Sequence, residues 1–160
     1  MKKIFTNQEF DNLPINENGI RLCPGNSDYS QITKLGLCSF GEWCSFGEWC
    51  SFGERCSFGE RCSFGEGCSY NTHKLIAGYP SLGFWGAGST NRGMIAWNTV
   101  DGIIIRCGCF EGDIHAFRKA VKKTHGTNKH ALVYLGFANL CAAQFEKNEL
   151  LDFDFIGNKQ

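Results

Sequence analysis

The sequence predicts a mainly β fold with an α+β C-terminal part. Three observations predict it: a six-residue repeat between residues 38 and 70, a glycine-rich stretch after it, and a C-terminal pattern of one β-hairpin and two helices. The 160 residues are 42% hydrophobic and 14% aromatic, enough for a packed core. The expected organisation is an N-terminal cap over 1–28, a repeat region over 29–80 and a small α+β unit over 81–160.

The N-terminal segment carries a helix signal. Thr6 followed by Glu9 is a capping-box pattern that predicts a short helix, which Pro14 closes. We expect this segment to cap the end of the repeat region.

The repeat unit, written from its phenylalanine, is F-G-E-x-C-S. A fixed period of this kind indicates a solenoid in which each unit stacks on a neighbour. We expect Phe to fill the interior, Cys to act as a small buried apolar residue, and Gly to permit the turn. Tyr70 and Ile76 continue the apolar position, whereas Tyr29 and Leu35-Gly36 are degenerate units separated from the array by a one-residue deletion.

This pattern resembles the hexapeptide repeat of left-handed parallel β-helix proteins. The resemblance implies three hexads per coil, so that residues 18 apart stack: Phe40 under Phe58 and Ile76, Phe46 under Phe64, and Phe52 under Tyr70. It also implies a short left-handed parallel β-helix of about three coils that assembles as a homo-oligomer, a trimer being favoured. The pentapeptide-repeat helix is excluded because its period is five.

The variable letter of each hexad faces outward in this arrangement. Trp43 then stacks near Arg61 in a cation–π contact. We expect a protein interface on the outer surface, formed by Trp43, Trp49, Arg55 and Arg61.

The cysteine spacing predicts neither a metal site nor a cofactor site. Cys38, Cys44, Cys50, Cys56, Cys62 and Cys68 follow one another at the hexad period, and a zinc site needs ligands that converge on one point. Cys107 and Cys109 are expected on one strand face, which is too sparse for a metal site unless Cys141 or His125 joins them. We assign no catalytic residue, and we expect reduced thiols in a cytoplasmic protein.

The C-terminal region begins with GAGSTNRG, a weak phosphate-loop signal that is better interpreted as a spacer. A hairpin is expected around Asp101-Gly102, which pairs Val100 with Ile103 and Trp97 with Arg106. The Trp–Arg pair is either structural or a platform for a nucleobase. Helices are expected over 113–125 and about 129–147, and the alternating tail LLDFDFIG predicts an edge strand or a docking segment.

The whole chain resembles small proteins of phages and gut-bacterial mobile elements. The resemblance rests on the CSFGEx array at 38–68, the segment from Gly102 to Phe110, and Thr124–Gly126. It implies a phage-encoded protein in the cytoplasm of an infected bacterial host.

Three functions fit these observations. The first is a non-enzymatic oligomeric binding protein that faces the host and counters a defence. It either blocks a host defence protein or sequesters a nucleotide signal through Trp85, Arg92, Trp97 and Arg106. The second is a hexapeptide-repeat acyltransferase with His73 as its base, and the third is a trimeric structural or virion component. Sixteen basic and sixteen acidic side chains cancel, so neither a membrane nor direct nucleic-acid binding is expected.

Overall fold

A computed structural model describes residues 1–32, 35–53, 56–88, 92–152 and 154, with Arg92 described by its backbone alone. It is mixed β with C-terminal helices, as expected, and contains parallel sheets. The chain forms two compact units. The repeat unit comprises Met1–Ser81 and Thr99–Asp101, and the C-terminal unit comprises Leu82–Asn98 and Gly102–Gln160. Glu54 and Arg55 lie outside the described residues, as do Phe153 and 155–157 of the segment 150–157 that was predicted as an edge strand or a docking segment.

The repeat unit is built from many very short strands and one short helix. Its elements are β1 (Lys3–Ile4), α1 (Asn7–Asp11), β2 (Arg21–Cys23), β3 (Ser27–Asp28), β4 (Cys38–Phe40), β5 (Ser45–Phe46), β6 (Ser51–Phe52), β7 (Ser57–Phe58), β8 (Ser63–Phe64), β9 (Ser69–Tyr70) and β10 (His73–Lys74). The predicted capping box is confirmed, since the Thr6 side chain accepts from the Glu9 N–H and the Glu9 carboxylate accepts from the Thr6 N–H.

The hexads of Phe40, Phe46 and Phe52 each pair in parallel with the third hexad after them, which confirms these predicted columns. Phe40 pairs with Phe58 in β4–β7, and Phe46 pairs with Phe64 in β5–β8. The third column places Phe52 beside Tyr70 in β6–β9. Successive hexads therefore belong to three different sheets, whose strand orders are β1-β3-β5-β8, β2-β4-β7 and β10-β9-β6.

The predicted one-residue deletion is confirmed upstream of the array. Cys23 pairs with Phe40 and Asp28 with Ser45, so the partners there are closer in sequence by one position than those within the array. Tyr29 is fully buried, and its ring stacks on Phe46 at 6.0 Å between centroids. Strands β1 to β3, in the segment expected to act as a cap, extend two of the three sheets.

Phenylalanine rings fill the interior between the sheets. Rings of successive hexads meet edge to face, with centroids 4.7 Å apart for Phe40–Phe46 and 4.9 Å for Phe52–Phe58. Rings of one column stack, as Phe40 does on Phe58 at 5.4 Å. Both geometries suit the aromatic quadrupole, so the ladder adds stacking energy to simple area burial.

Four hexad glycines have a different role from the one predicted: Gly41, Gly47, Gly59 and Gly65. A Cβ on Gly41 would lie 2.5 Å from the backbone N of Gly25, and one on Gly65 would lie 2.7 Å from that of Glu48. Neither glycine has a positive φ. The glycine therefore allows neighbouring backbones to approach, and the positive φ that turns the chain falls on the variable letter, as at Trp43 (61°) and Arg61 (56°).

The array ends earlier than predicted. After Tyr70 the chain turns at Asn71 and Thr72, and β10 pairs with β9 in antiparallel orientation, with His73 opposite Tyr70. Ile76 is consequently 39% exposed instead of stacking on Phe58, and Leu75 is buried in its place. The reversal protects the edge of β9 from pairing with another chain.

The C-terminal unit contains a four-stranded sheet of order β11-β12-β13-β14 and two helices. Its elements are β11 (Ser81–Ala87), β12 (Arg92–Thr99), β13 (Gly102–Cys107), β14 (Phe110–Asp113), α2 (Ile114–His125), α3 (Lys129–Gln144) and a 3-10 turn (Asn148–Leu150). Ser81 belongs to the repeat unit by contact, although it begins β11.

The predicted hairpin is present, but its loop lies one residue earlier. The loop residues are Val100 and Asp101, and β13 starts at Gly102. Val100 therefore does not pair with Ile103, and its N–H donates to the Lys74 carbonyl at 3.0 Å. A two-residue loop that lies one position earlier moves each cross-strand partner by two residues along β13, so the predicted cross-strand pairs change although each side chain keeps its predicted face.

Both C-terminal helices begin where the sequence predicted. Asp113 caps α2 by accepting from the Ala116 N–H, and Gly126 ends it with φ of 56°. Asn128 caps α3, which stops at Gln144, before the expected end at about 147. The core between helices and sheet is built from Met94, Ala96, Ile103, Ile105, Ile114, Phe117, Val121, Leu135, Ala138 and Cys141, among others.

Candidate functional site

Two tryptophans stand at exposed turns of the repeat unit. Trp43 is 45% exposed and Trp49 is 70% exposed, and both have φ near 60°. A left-handed conformation costs a non-glycine residue about 1–2 kcal/mol. We call the side chains of Trp43, Trp49 and Arg61 the corner surface.

Cations lie over both indole rings of this region. The Arg61 guanidinium is 4.6 Å from the centroid of Trp43, which confirms the predicted cation–π contact. The Lys74 ammonium lies 5.8 Å from the centroid of Trp49. The Trp49 ring also lies against Gly67, where a Cβ would collide with it. The indoles are thus held against the repeat backbone, which lowers the entropy that they lose on binding.

Backbone hydrogen bonds fix the corner positions. The N–H groups of Trp43 and Trp49 donate to the carbonyls of Glu60 and Glu66, both at 2.8 Å. The carboxylates of Glu42, Glu48, Glu60 and Glu66 precede the corner residues. The surface combines rigid aromatics, a guanidinium and a charged rim, which are the groups enriched where proteins recognise one another. Arg55, the fourth expected interface residue, lies outside the described residues.

The residues expected to bind a nucleotide do not form one open platform. Trp97 is only 1% exposed, so its ring is enclosed and cannot stack on a base; this corrects the expectation for that residue. Trp85 is 54% exposed and lies against Gly83 and Gly93, where a Cβ would meet its ring. Arg106 is half-buried and lies opposite Glu111 in the β13–β14 register.

The structure describes little of Arg92 and of the glycine-rich loop before it. The structure describes only the backbone of Arg92, at the start of β12, and Ser89, Thr90 and Asn91 lie outside the described residues. The predicted weak phosphate signal in that loop stays a prediction.

The repeat cysteines are structural. The Cys68 thiol donates to the Gly47 carbonyl at 3.0 Å and the Cys62 thiol donates to the Gly41 carbonyl at 3.4 Å. Burial, together with the neighbouring Cys68 thiol, raises the pKa of Cys50 to about 11. A buried thiol with a raised pKa is a poor nucleophile.

The C-terminal thiols differ from the expected arrangement. Cys109 lies in a turn with Gly108, so it does not share a strand face with Cys107. Cys109 is exposed and Cys107 half-buried, whereas burial raises the pKa of Cys141 far above its usual range. Among the described residues, no three His, Cys, Asp or Glu side chains are grouped so as to hold a metal ion.

A site that the sequence interpretation missed lies between α2 and the segment after α3. A cavity of about 620 Å³ is lined by His115, Arg118, Lys119, Lys122, Glu149, Leu150, Leu151, Asp152 and Asp154. Arg118 is only 7% exposed. A helical periodicity signal existed, since Arg118 follows Phe117 and lies one helical turn after Ile114, at the flank of the buried stripe.

Hydrogen bonds hold the segment after α3 against the two helices. Asn139 donates to the Asp152 carbonyl at 2.7 Å and accepts from the Asp152 N–H at 3.0 Å. The Asp152 carboxylate accepts from Lys122 at 3.2 Å. Burial alone would raise the pKa of Asp152, but the hydrogen bonds from Lys122 and the Asp154 N–H, with the charges of Lys122 and Arg118, outweigh burial and lower it.

His73, the residue considered for acyl transfer, lies in β10 and is half-buried. In the part of the chain that the structure describes, no helix is long and apolar enough to cross a bilayer. Comparison with protein-family models found no matching family. Comparisons with curated proteins and with solved structures also found no match.

Proposed function

We propose that this chain is a non-enzymatic, oligomeric binding protein that contacts a protein partner through the corner surface. The observation that carries the proposal is the exposure of Trp43 and Trp49 at positive-φ positions. Arginine or glycine occupies the corresponding position at 61 and 67, so neither the fold nor its turn requires an aromatic ring there. Exposed, rigid tryptophans at a strained position are typical of binding hot spots.

The scaffold of this proposal is a left-handed parallel β-helix of about three coils. Three hexads pair in parallel with the third hexad after them, one pair in each of three sheets, and this supports the scaffold because such pairing brings each third hexad back to the same side. The resemblance to hexapeptide-repeat proteins supports the hand of the helix and assembly into a homotrimer.

The partner that fits best is a host defence protein in an infected bacterial cell. The resemblance to phage and mobile-element proteins supports this context. The protein partner is favoured over a nucleotide signal because Trp97 is enclosed, whereas the corner surface is open.

The experiment compares two exposed tryptophans. Tagged wild-type protein, Trp49→Ala and the matched control Trp85→Ala are used to capture proteins from host lysate, and the captured species is then titrated in purified form. We expect wild type and W85A to bind it in fixed stoichiometry and W49A to lose at least tenfold in affinity, since a hot-spot truncation costs about 2 kcal/mol or more. Equal binding by W49A and W85A would overturn the assignment of the corner surface.

Native mass spectrometry of the same three proteins gives the oligomeric state. If all three proteins are trimers, a loss of partner binding in W49A is not caused by a loss of self-assembly. A monomeric wild type contradicts the oligomeric part of the proposal. Thioester turnover that disappears in His73→Ala would instead favour the acyltransferase. High copy number in purified particles would favour a virion component.

A further inference from the structure

The cavity beside α2 contains an unusual charge. Arg118 is 7% exposed, and its Nε–H has no hydrogen-bond acceptor among the residues that the structure describes. Its Nη2 donates to the amide oxygen of Asn139 at 2.6 Å, a neutral partner. None of the three ion pairs among the described residues includes Arg118. A buried guanidinium without a carboxylate is costly because its charge has left water without compensation.

The nearest acidic group is already engaged elsewhere. Asp152 pairs with Lys122 at 3.2 Å and also accepts from the Asp154 N–H at 3.1 Å. The charge of Asp152 acts on Arg118 through space, but both hydrogen bonds that its carboxylate accepts come from these other donors. The guanidinium therefore remains available to an anion that enters the cavity.

Further groups surround the guanidinium. His115 and Lys119 are exposed on α2, one turn before Arg118 and directly after it, and add donors at the cavity wall. Glu149 and Asp154, also exposed, supply acceptors from the segment after α3. The cavity of about 620 Å³ lies within the range of sites for small molecules.

We infer that this cavity is a binding site for a small polar molecule whose oxyanion, a phosphate or a carboxylate, pairs with the Arg118 guanidinium and Lys119. Arginine suits both anions because its planar donors match two oxygens at once. The acidic wall selects ligands that carry hydrogen-bond donors away from the oxyanion. This site lies in the C-terminal unit and is independent of the corner surface.

The test follows the Nε–H resonance of Arg118 by NMR in the full chain during titration with inorganic phosphate and, separately, with acetate. The resonance is assigned from its absence in Arg118→Lys. We expect a saturable shift, and Lys119→Gln is expected to weaken binding about tenfold, the effect of losing one charged hydrogen bond. Lys123→Gln, an exposed lysine of α2 outside the cavity wall, is the matched control and should bind as wild type does.

The two probes separate the two sources of the oxyanion. Saturation by phosphate alone assigns a phosphate ligand, and saturation by acetate with equal or greater affinity assigns a carboxylate ligand. A shift that never saturates with either probe would overturn the inference. An equal loss of affinity in K119Q and K123Q would also overturn it, because the anion would then respond to the overall charge of α2 and not to a site beside Lys119. Because K119Q changes an exposed side chain, this comparison does not depend on whether R118K folds.

Discussion

The Arg61 guanidinium lies 4.6 Å from the ring centroid of Trp43, and the two residues occupy successive corners of one column. The contact joins two hexads 18 residues apart on the outer surface, whereas the phenylalanine rings join such hexads only in the interior. We expect Arg61→Ala to lower the free energy of unfolding by about 0.5–1 kcal/mol, the usual strength of an exposed cation–π contact.

A double-mutant cycle with Trp43→Ala, measured by chemical denaturation, isolates that contact. Arg61→Gly is the informative companion, because glycine relieves the positive φ of 56° that alanine retains. R61G should therefore be more stable than R61A. Additive losses in R61A and W43A would show that the ring and the guanidinium do not interact in solution.

The hexad glycines offer a matched pair in identical sequence surroundings. Gly53 and Gly59 both stand in SFGERC. A Cβ on Gly59 would collide with the backbone of Gly41 and Glu42, whereas one on Gly53 meets no described residue within 4 Å. We expect Gly59→Ala to destabilise by about 1–3 kcal/mol, the usual cost of overpacking. Gly53→Ala should change stability by less than about 0.5 kcal/mol. Equal losses in thermal or urea unfolding would contradict the close-approach role of Gly59.

Thiol reactivity distinguishes structural from accessible cysteines. Eight of the ten cysteines are buried, Cys107 is half-buried and Cys109 is exposed. With a thiol reagent at mildly alkaline pH, Cys109 should react rapidly and Cys107 more slowly. The eight buried thiols should react only on unfolding, because burial blocks access of the reagent. Cys109→Ser should remove the rapid phase. Rapid reaction of three or more thiols in the folded protein would contradict the buried columns.

The pair of Lys122 and Asp152 gives the C-terminal unit a pH dependence. The pKa of Asp152 is lowered by folding, so its contribution to stability is present above the ordinary pKa of about 4 and is lost as the pH falls through the folded value. We expect Asp152→Asn to cost about 0.5–1 kcal/mol at neutral pH, the range for a largely solvated pair, and to flatten the acid side of the stability curve. Glu149→Gln, an exposed carboxylate of the same segment, should leave that slope unchanged, and a slope unchanged in D152N would disprove the linkage.

The columns of the repeat unit could be predicted because period and chemistry agree. The resemblance to hexapeptide-repeat proteins implies three hexads per coil, and counting 18 residues from Phe46 then gives Phe64, the partner that the structure shows. The role of glycine could not be predicted in the same way. Its neighbour is the backbone of an earlier layer, distant in sequence, and local turn propensity pointed to the wrong letter of the hexad.

Other predictions were wrong or incomplete for the same reason: the contacts that decide them join residues whose spacing in the sequence does not reveal them. Ile76 keeps the period, but the antiparallel return of β10 overrides it. Trp97 is enclosed although a strand pattern leaves its face open. Helical spacing places Arg118 at the flank of the buried stripe, but only the docking of Asp152 through Asn139 shows that its guanidinium is buried.

The distribution of successive hexads over three sheets restricts how the array can change length. An insertion of three complete hexads gives each sheet one more strand and leaves every later residue in its own column. Slippage of one hexad during replication instead transfers every downstream strand to the next sheet, and Arg61 would then no longer follow Trp43. Length variants that still fold should therefore differ by multiples of three hexads. Each such change adds or removes one complete set of three variable positions and leaves pairs such as Trp43 and Arg61 in contact.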